Sequence, residues 1–143
     1  MELTVKSFEQ LTCDELYEIL QARTAVFIVE QNCPYQDIDG TDRQAVHIAL
    51  RDHAQLLAYL RVFSRDEHTA QIGRVLATER RKGYAATVLK EGIRVAREQL
   101  EKQAIYLEAQ TYAMSLYAKE GFLPVSEEFL EDGIPHVAMR LEF

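Results

Sequence analysis

Apolar and polar residues alternate in the opening stretch "LTVKSF", the period of two expected of a short strand. After Thr12 the period lengthens. In "TCDELYEILQARTAVFIVEQ" the residues Leu16, Ile19, Leu20, Arg23 and Phe27 follow at helical steps, which predicts a helix to near Glu30. Glu15 stands three residues after Thr12, the spacing of a capping box. The breakers in "NCPYQDIDG" stop the helix. "AVHIALRD" and "QLLAYLRVFSR" predict two antiparallel strands about a short turn at His53, and "AQIGRVLA" predicts another strand. In "KGYAATVLKEGIRVAREQL", Ala85, Leu89, Ile93, Ala96 and Leu100 form one helical stripe with Gly92 beside it. A glycine inside a helix costs about 1 kcal/mol against alanine, so its presence implies that this helix sits close to a sheet. "AIYLEA" reads as a buried strand and "TYAMSLYAKEG" as a short helix closed by Gly121. "FLPVSEEFL" and "PHVAMRLEF" read as two strands around the turn "EDGI".

The predicted order is β-α-β-β-β-α-β-α-β-β. Two strand–helix units inside a largely antiparallel run imply an α/β (α+β) fold, a mixed and mostly antiparallel sheet flanked by helices. A chain of 143 residues suffices for one domain, 1–143, with a sizeable core. No repeat, low-complexity segment or linker interrupts it.

Charge narrows the choice of partner. Lysine and arginine total 16 and aspartate and glutamate 23, a net charge of -7. Affinity for phosphate backbones comes from clustered cations, so nucleic acid is excluded as the main partner, and a cationic or amine-bearing one is favoured. Cys13 and Cys33 are too few and too far apart for a disulfide framework or a zinc site, and no metal is expected. No apolar run with a cleavage site opens the chain, and none approaches the length of a membrane span. A reduced, cytoplasmic protein is expected.

Against this acidic background, "ERRKGYAATVL" puts cations at the mouth of the second long helix. Arg80, Gly83 and Ala85 form an R-x-x-G-x-A pattern between a strand ending near Ala77 and a helix beginning near Gly83. The first turn of a helix carries unpaired N–H groups and a partial positive charge. A diphosphate can accept from those groups where no side chain blocks it, and Gly83 has none. Arg80, Arg81 and Lys82 add cations beside the same anion. Alone, this pattern is as compatible with a basic, solvated helix start. It is neither a P-loop nor a dinucleotide fingerprint.

The pattern resembles the [QR]-x-x-G-x-[GA] motif of the GNAT superfamily of acyl-CoA-dependent N-acyltransferases. Strand "IGRVLA", "RRKGYA", a long helix, strand "IYLEA" and then "AMSLYAKEGF" follow the GNAT order over residues 72–122. A second signature, A-x-x-L-Y-x-K-x-G-F, is present as Ala113, Leu116, Tyr117, Lys119, Gly121 and Phe122. "FIVEQNCPYQDIDG", "EDGIPH" and the lone histidine of "AVHIAL" resemble the ElaA-like branch, so the similarity covers nearly the whole chain. There are departures. The link from "RVLATE" to "RRKG" is about two residues shorter than the pattern of this family, Arg81 stands where glycine is common, and Gln110 stands where many members carry asparagine.

The resemblance implies the GNAT fold and transfer of an acetyl group from acetyl-CoA to a primary amine by direct attack in a ternary complex. The implied acceptor is a small amine, amino sugar, peptide or lysine side chain, and many such proteins form homodimers. Backbone groups of Val75, Leu76 and Ala77 would pair with the pantetheine arm, with Gln110 bonding it from the side. The N–H groups near Lys82, Gly83, Tyr84, Ala85 and Ala86, with Arg80 and Arg81, would take the diphosphate. Tyr117 matches the family's general acid and would also touch the cofactor. Taken without the family, Tyr117 reads more simply as an amphipathic core residue with a wet tip.

The attacking amine must be neutral. An alkyl amine with a pKa near 10.4 needs about 4–5 kcal/mol to lose its proton at pH 7. His47, His136 and Glu30 are the candidate bases, with Glu108 a fourth, and each is also open to a structural role. "DIDG" lacks the later ligands of a calcium loop and reads as a solvated turn whose acids, with Glu30, would draw a cationic amine. Cys33 has no partner base in the sequence. A non-catalytic GNAT-fold module that binds acyl-CoA as a sensor or assembly part remains the alternative to the enzyme.

Overall fold

Every strand joins one sheet. In the computed structural model, which describes Met1–Phe143, the strands are β1 (Glu2–Ser7), β2 (Val46–Asp52), β3 (Gln55–Ser64), β4 (Thr69–Ala77), β5 (Ala104–Gln110), β6 (Leu123–Pro124), β7 (Phe129–Glu131) and β8 (Ile134–Glu142). They lie in the order β1-β2-β3-β4-β5-β8-β6, with β7 also paired to β8. All pairs are antiparallel except β4 with β5. The helices are α1 (Cys13–Arg23), α2 (Tyr84–Arg94) and α3 (Met114–Ala118).

The predicted elements all form, with changes at the ends of both long helices and in one strand. The capping box of α1 is present, with Glu15 N–H donating to Thr12 Oγ1 at 3.1 Å and Thr12 N–H to Glu15 Oε1 at 2.9 Å. The α-helical turns end at Arg23, and Thr24–Glu30 continues in wider π turns. The single strand expected over "FLPVSEEFL" divides into β6 and β7. Pro124 has no N–H for a ladder, and beyond it Ser126 Oγ accepts from Ala138 N–H at 2.9 Å, a side chain standing where a strand partner would be.

Side chains alternate across the sheet. One face carries Ile48, Leu60, Val62, Ile72, Ile105 and Met139, all essentially buried and packed with Val88, Leu89, Val95 and Ala96 of α2 and its π continuation Val95–Gln99. Gly92 lies on the seam, where a Cβ would come within 3.1 Å of Leu60 Cδ1 and 3.3 Å of Ile72 Cδ1. The buried seam runs Val88–Gly92–Val95 with Leu89 and Ala96, whereas Ala85 and Ile93 of the predicted stripe are only half-buried. The glycine itself faces the sheet and draws the helix in.

The other face is apolar only under α1, where Ile19 meets Ala49, Leu56, Tyr59 and Leu76. Further across it turns polar, presenting Arg61, Gln71, Glu108, Gln110 and His136, and no helix covers that half.

The parallel pairing of β4 and β5 extends only over Thr69–Gln71 with Ala104–Tyr106. On the other edge of β4 the register to β3 shifts between Tyr59 and Arg61, and Arg74 takes a left-handed φ of 56°. An extra residue on one strand bends it and increases its twist. Beyond the shift β4 holds to β3 through Leu76 and Ala77 alone, so the two central strands part like a V.

Candidate active site

The opening between β4 and β5 leads into two cavities, of about 370 and 460 Å³. Both are lined by Phe27, Val75, Tyr112, Ala113 and Tyr117. They therefore meet at Tyr117, one running toward the start of α2 and the other across the polar half of the sheet.

The larger cavity holds most residues expected around a cofactor. Val75 to Ala77, Arg80, Arg81, Gly83 to Ala86 and Tyr117 all line it, whereas Lys82 does not. Leu76 and Ala77 keep β3 on one edge, and Val75 to Ala77 leave the other edge unpaired, which an added strand-like chain can use. Gly83 caps α2 at a φ of 79°, a left-handed conformation that glycine adopts without penalty, and a Cβ there would meet nothing within 4 Å. Arg81, in the place where glycine is common in the family pattern, also takes a left-handed φ of 61°. Arg80 Nη2 donates to Glu30 Oε1 at 2.6 Å on the rim, both side chains being more than half exposed. Glu30 thus sits beside the expected anion site and away from the smaller cavity, where a base would act.

Tyr117 is held between them by α3. Its ring packs edge-on against Phe122 at 6.0 Å, and burial pushes the phenol well above its ordinary range. Its hydroxyl makes no hydrogen bond within the protein, although the neighbouring Tyr112 also raises its pKa.

The smaller cavity brings in Gln110, His136, Glu108 and Glu131, together with Cys33, whose Sγ donates to the Asp132 carbonyl at 3.4 Å. The Gln110 amide is paired both ways with Gln31, at 3.1 and 3.2 Å. Gln110 and His136 are directly opposite on β5 and β8. His136 Nδ1 lies 2.7 Å from the Ile134 carbonyl, which can only accept, so Nδ1 carries a proton and, in the neutral ring, Nε2 carries the lone pair. Its ring stacks on Phe129 at 6.0 Å, and Nε2 lies 3.7 Å from Glu131 Oε2. Burial first, and then the charge of Glu108, push the Glu131 carboxyl upward, while His136 acts against them.

His47 lies elsewhere. It is fully buried on β2, between β1 and β3, its Nε2–H donates to the Asp42 carbonyl at 2.8 Å, and its Nδ1 accepts from Tyr59 Oη at 2.7 Å. Both nitrogens are spoken for, and burial, outweighing the Asp42 carbonyl, lowers its pKa. It lines neither cavity, which leaves His136 as the histidine of the cleft.

The acidic turn also differs from the expectation. Asp37 and Asp42 are buried, and Asp39 lies nearer the surface, its side chain 32% exposed. Arg23 donates to Asp37 at 2.9 Å and to Asp42 at 2.7 Å, and Arg61 bonds Asp39 at 2.8 and 3.0 Å and Asp42 at 2.9 Å. Arg74 bonds the Asp37 carbonyl at 3.1 Å. The turn is one wall of the cleft, and its acids are neutralised by arginines rather than free to attract an amine. Arg61 within the apolar run "YLRVF" is the signal for this network, because a buried charge requires a partner. No group of residues suited to holding a metal ion is present, and no helix is long and apolar enough to cross a membrane.

Comparison with known proteins agrees with this geometry. Residues 9–143 match the model of the acetyltransferase (GNAT) domain. The sequence is 38% identical to Escherichia coli ElaA over 139 residues, covering 93% of this chain and 91% of that protein. The crystal structure of Escherichia coli ElaA superposes with a TM-score of 0.93 over 99% of this chain and all of that one, at 36% identity in that alignment. An acyl-CoA N-acyltransferase from Pseudomonas aeruginosa does so with a TM-score of 0.90 at 39% identity, covering 98% of this chain and 99% of that one. The cleft opened by the parting of β4 and β5, with Gly83 at the head of α2 and Tyr117 at its bend, is thus that of a GNAT-fold protein, and the chain belongs to the GNAT acetyltransferase family, on the branch of ElaA.

Proposed function

We propose that the protein is an N-acetyltransferase that moves the acetyl group of acetyl-CoA to a primary amine by direct attack. The carrying observation is that Tyr117 stands where the two cavities meet, its hydroxyl unpaired, with the lone pair of His136 in the second cavity.

The residues present suit the cofactor. The open edge of Val75 to Ala77 offers backbone groups to the pantetheine amides, and the N–H groups after Gly83 offer donors to the diphosphate, beside Arg81. Acetyl-CoA supplies the activated acyl group as a thioester. Phe27 and Tyr112 wall the junction, where they limit water.

His136 Nε2 takes the proton that the acceptor ammonium must lose, directly or through water. As the new N–C bond forms and the C–S bond breaks, the Tyr117 hydroxyl gives its proton to the departing sulfur, and the second proton shed by the acylated nitrogen restores the phenol, directly or through water. Burial favours its neutral form, so the phenol holds its proton until negative charge develops beside it.

The test is thiol release from acetyl-CoA with a panel of polyamines, amino sugars, aminoglycosides and peptides. Turnover is expected on at least one amine. Tyr117→Phe and His136→Gln should each lower kcat by about 100-fold or more while acetyl-CoA still binds. Binding of acetyl-CoA with no turnover on any amine would instead support a non-catalytic acyl-CoA module.

A further inference from the structure

The charges in the acceptor cavity are not balanced. Its two arginines, Arg61 and Arg74, are engaged by Asp37, Asp39 and Asp42: Arg74 Nε lies 2.8 Å from Asp37 Oδ1, Arg61 bonds Asp39 and Asp42 through its two Nη atoms, and the Arg61 Nε is buried. Glu108, Glu131 and Asp132 line the same space and pair with no lysine or arginine. Glu108 reaches in from β5, where Tyr106 Oη donates to its Oε2 at 2.9 Å, and Glu131 from the β7–β8 hairpin on the other side of β8. His136 stands beside them on β8, its side chain only 10% exposed and its Nε2 3.7 Å from Glu131 Oε2 without a hydrogen bond in the protein. Two converging carboxylates around a buried acceptor atom are the complement of an ammonium, which has three donors and one positive charge.

We infer that Glu108 and Glu131 form the receiving site for the acceptor's ammonium, and that the acceptor is an alkyl amine with no carboxylate beside the reacting nitrogen. This rests on the N-acetyltransferase reading above. The pair admits the amine in its charged form, aims it at His136, and repels a neighbouring negative charge. Like charges set against each other repel, and no free arginine faces the cavity to offset them. Amines such as diamines or lysine side chains fit this chemistry, and the α-amino groups of free amino acids do not.

The experiment compares amine pairs that differ by one α-carboxylate: cadaverine with L-lysine, putrescine with L-ornithine, tryptamine with L-tryptophan. The wild-type protein should favour the decarboxylated member by about tenfold or more in kcat/KM and should acetylate L-lysine at Nε and not at Nα. Glu108→Gln with Glu131→Gln should raise the amine KM and narrow that preference, with the KM for acetyl-CoA and the melting temperature unchanged. If the double variant melts early, Glu131→Gln alone makes the comparison, because it leaves the Tyr106–Glu108 bond in place. Equal use of α-amino acids, or an unchanged amine KM in the variants, overturns the inference and leaves the acetyltransferase standing. No turnover by the wild type on any amine overturns both.

Discussion

The side-chain amides of Gln31 and Gln110 bond each other in both directions, joining the end of the π turns after α1 to the last residue of β5. The reciprocal pair orients Gln110 and leaves it one N–H and one lone pair for the pantetheine arm. Gln110→Ala should raise the KM for acetyl-CoA by about tenfold, the worth of one hydrogen bond or slightly more, and change kcat less. Gln31→Ala, which only frees the orientation of Gln110, should act in the same direction and more weakly. Steady-state kinetics at saturating amine check both, and an unaltered KM in Gln110→Ala removes that residue from the cofactor site.

Gly83 separates the loop from α2 at a φ of 79°. A left-handed non-glycine residue costs roughly 1–2 kcal/mol, and a carboxylate there would face the diphosphate. Gly83→Glu should weaken coenzyme A binding by about tenfold or more, whereas Gly83→Ala should show the backbone cost with a smaller loss. Calorimetric titration reads both. Unchanged affinity in Gly83→Glu would move the diphosphate elsewhere.

Asp42 accepts from Arg23 and Arg61 at 2.7 and 2.9 Å inside the wall of the cleft. Burial opposes its ionisation, yet the hydrogen bond and charge of Arg23, and then those of Arg61, hold its pKa below the usual range. Asp42→Ala takes one carboxylate from each of two buried guanidinium groups, leaving Arg23 to Asp37 and Arg61 to Asp39, and breaking a buried pair from one side costs about 3–5 kcal/mol. For a chain of this length that is roughly a 10 °C fall in Tm, to be read by thermal unfolding. A fall of a degree or two would show that the network relaxes onto Asp39.

His47 gives stability a pH dependence. Burial lowers its pKa in the folded state, so just below pH 6.5 the unfolded chain binds a proton that the native one refuses. The unfolded state then holds more protons. Stability is therefore full above about pH 6.5 and declines as pH falls through the lowered native value. His47→Asn should be less stable at pH 8 and should lack this part of the decline, with kcat at pH 8 close to wild type. Denaturant titrations at several pH values check the first part. A large loss of kcat in a folded His47→Asn protein would return His47 to the list of bases.

Periodicity and short-range chemistry account for what was legible beforehand. The alternation of β2, β3 and β5, the capping box at Thr12, the Gly92 contact and the glycine at the head of α2 are local features, decided within a few residues by sterics and side-chain period. Tyr117 could be singled out beforehand because it belongs to a contiguous signature. The ion network and the choice among His47, His136 and Glu30 could not. Asp37, Asp39 and Asp42 look like a solvated turn until Arg23, Arg61 and Arg74 are brought to them from other elements, 14 to 37 positions away. Likewise, both histidines sit on strands with apolar neighbours, and only the packing shows which has a free nitrogen in the cleft. The linear chain thus settled the elements, their order and the family, because these depend on near neighbours. Folding settled which charges are cancelled and which remain exposed to a substrate, because electrostatic balance depends on groups that are distant in sequence and meet only across the sheet.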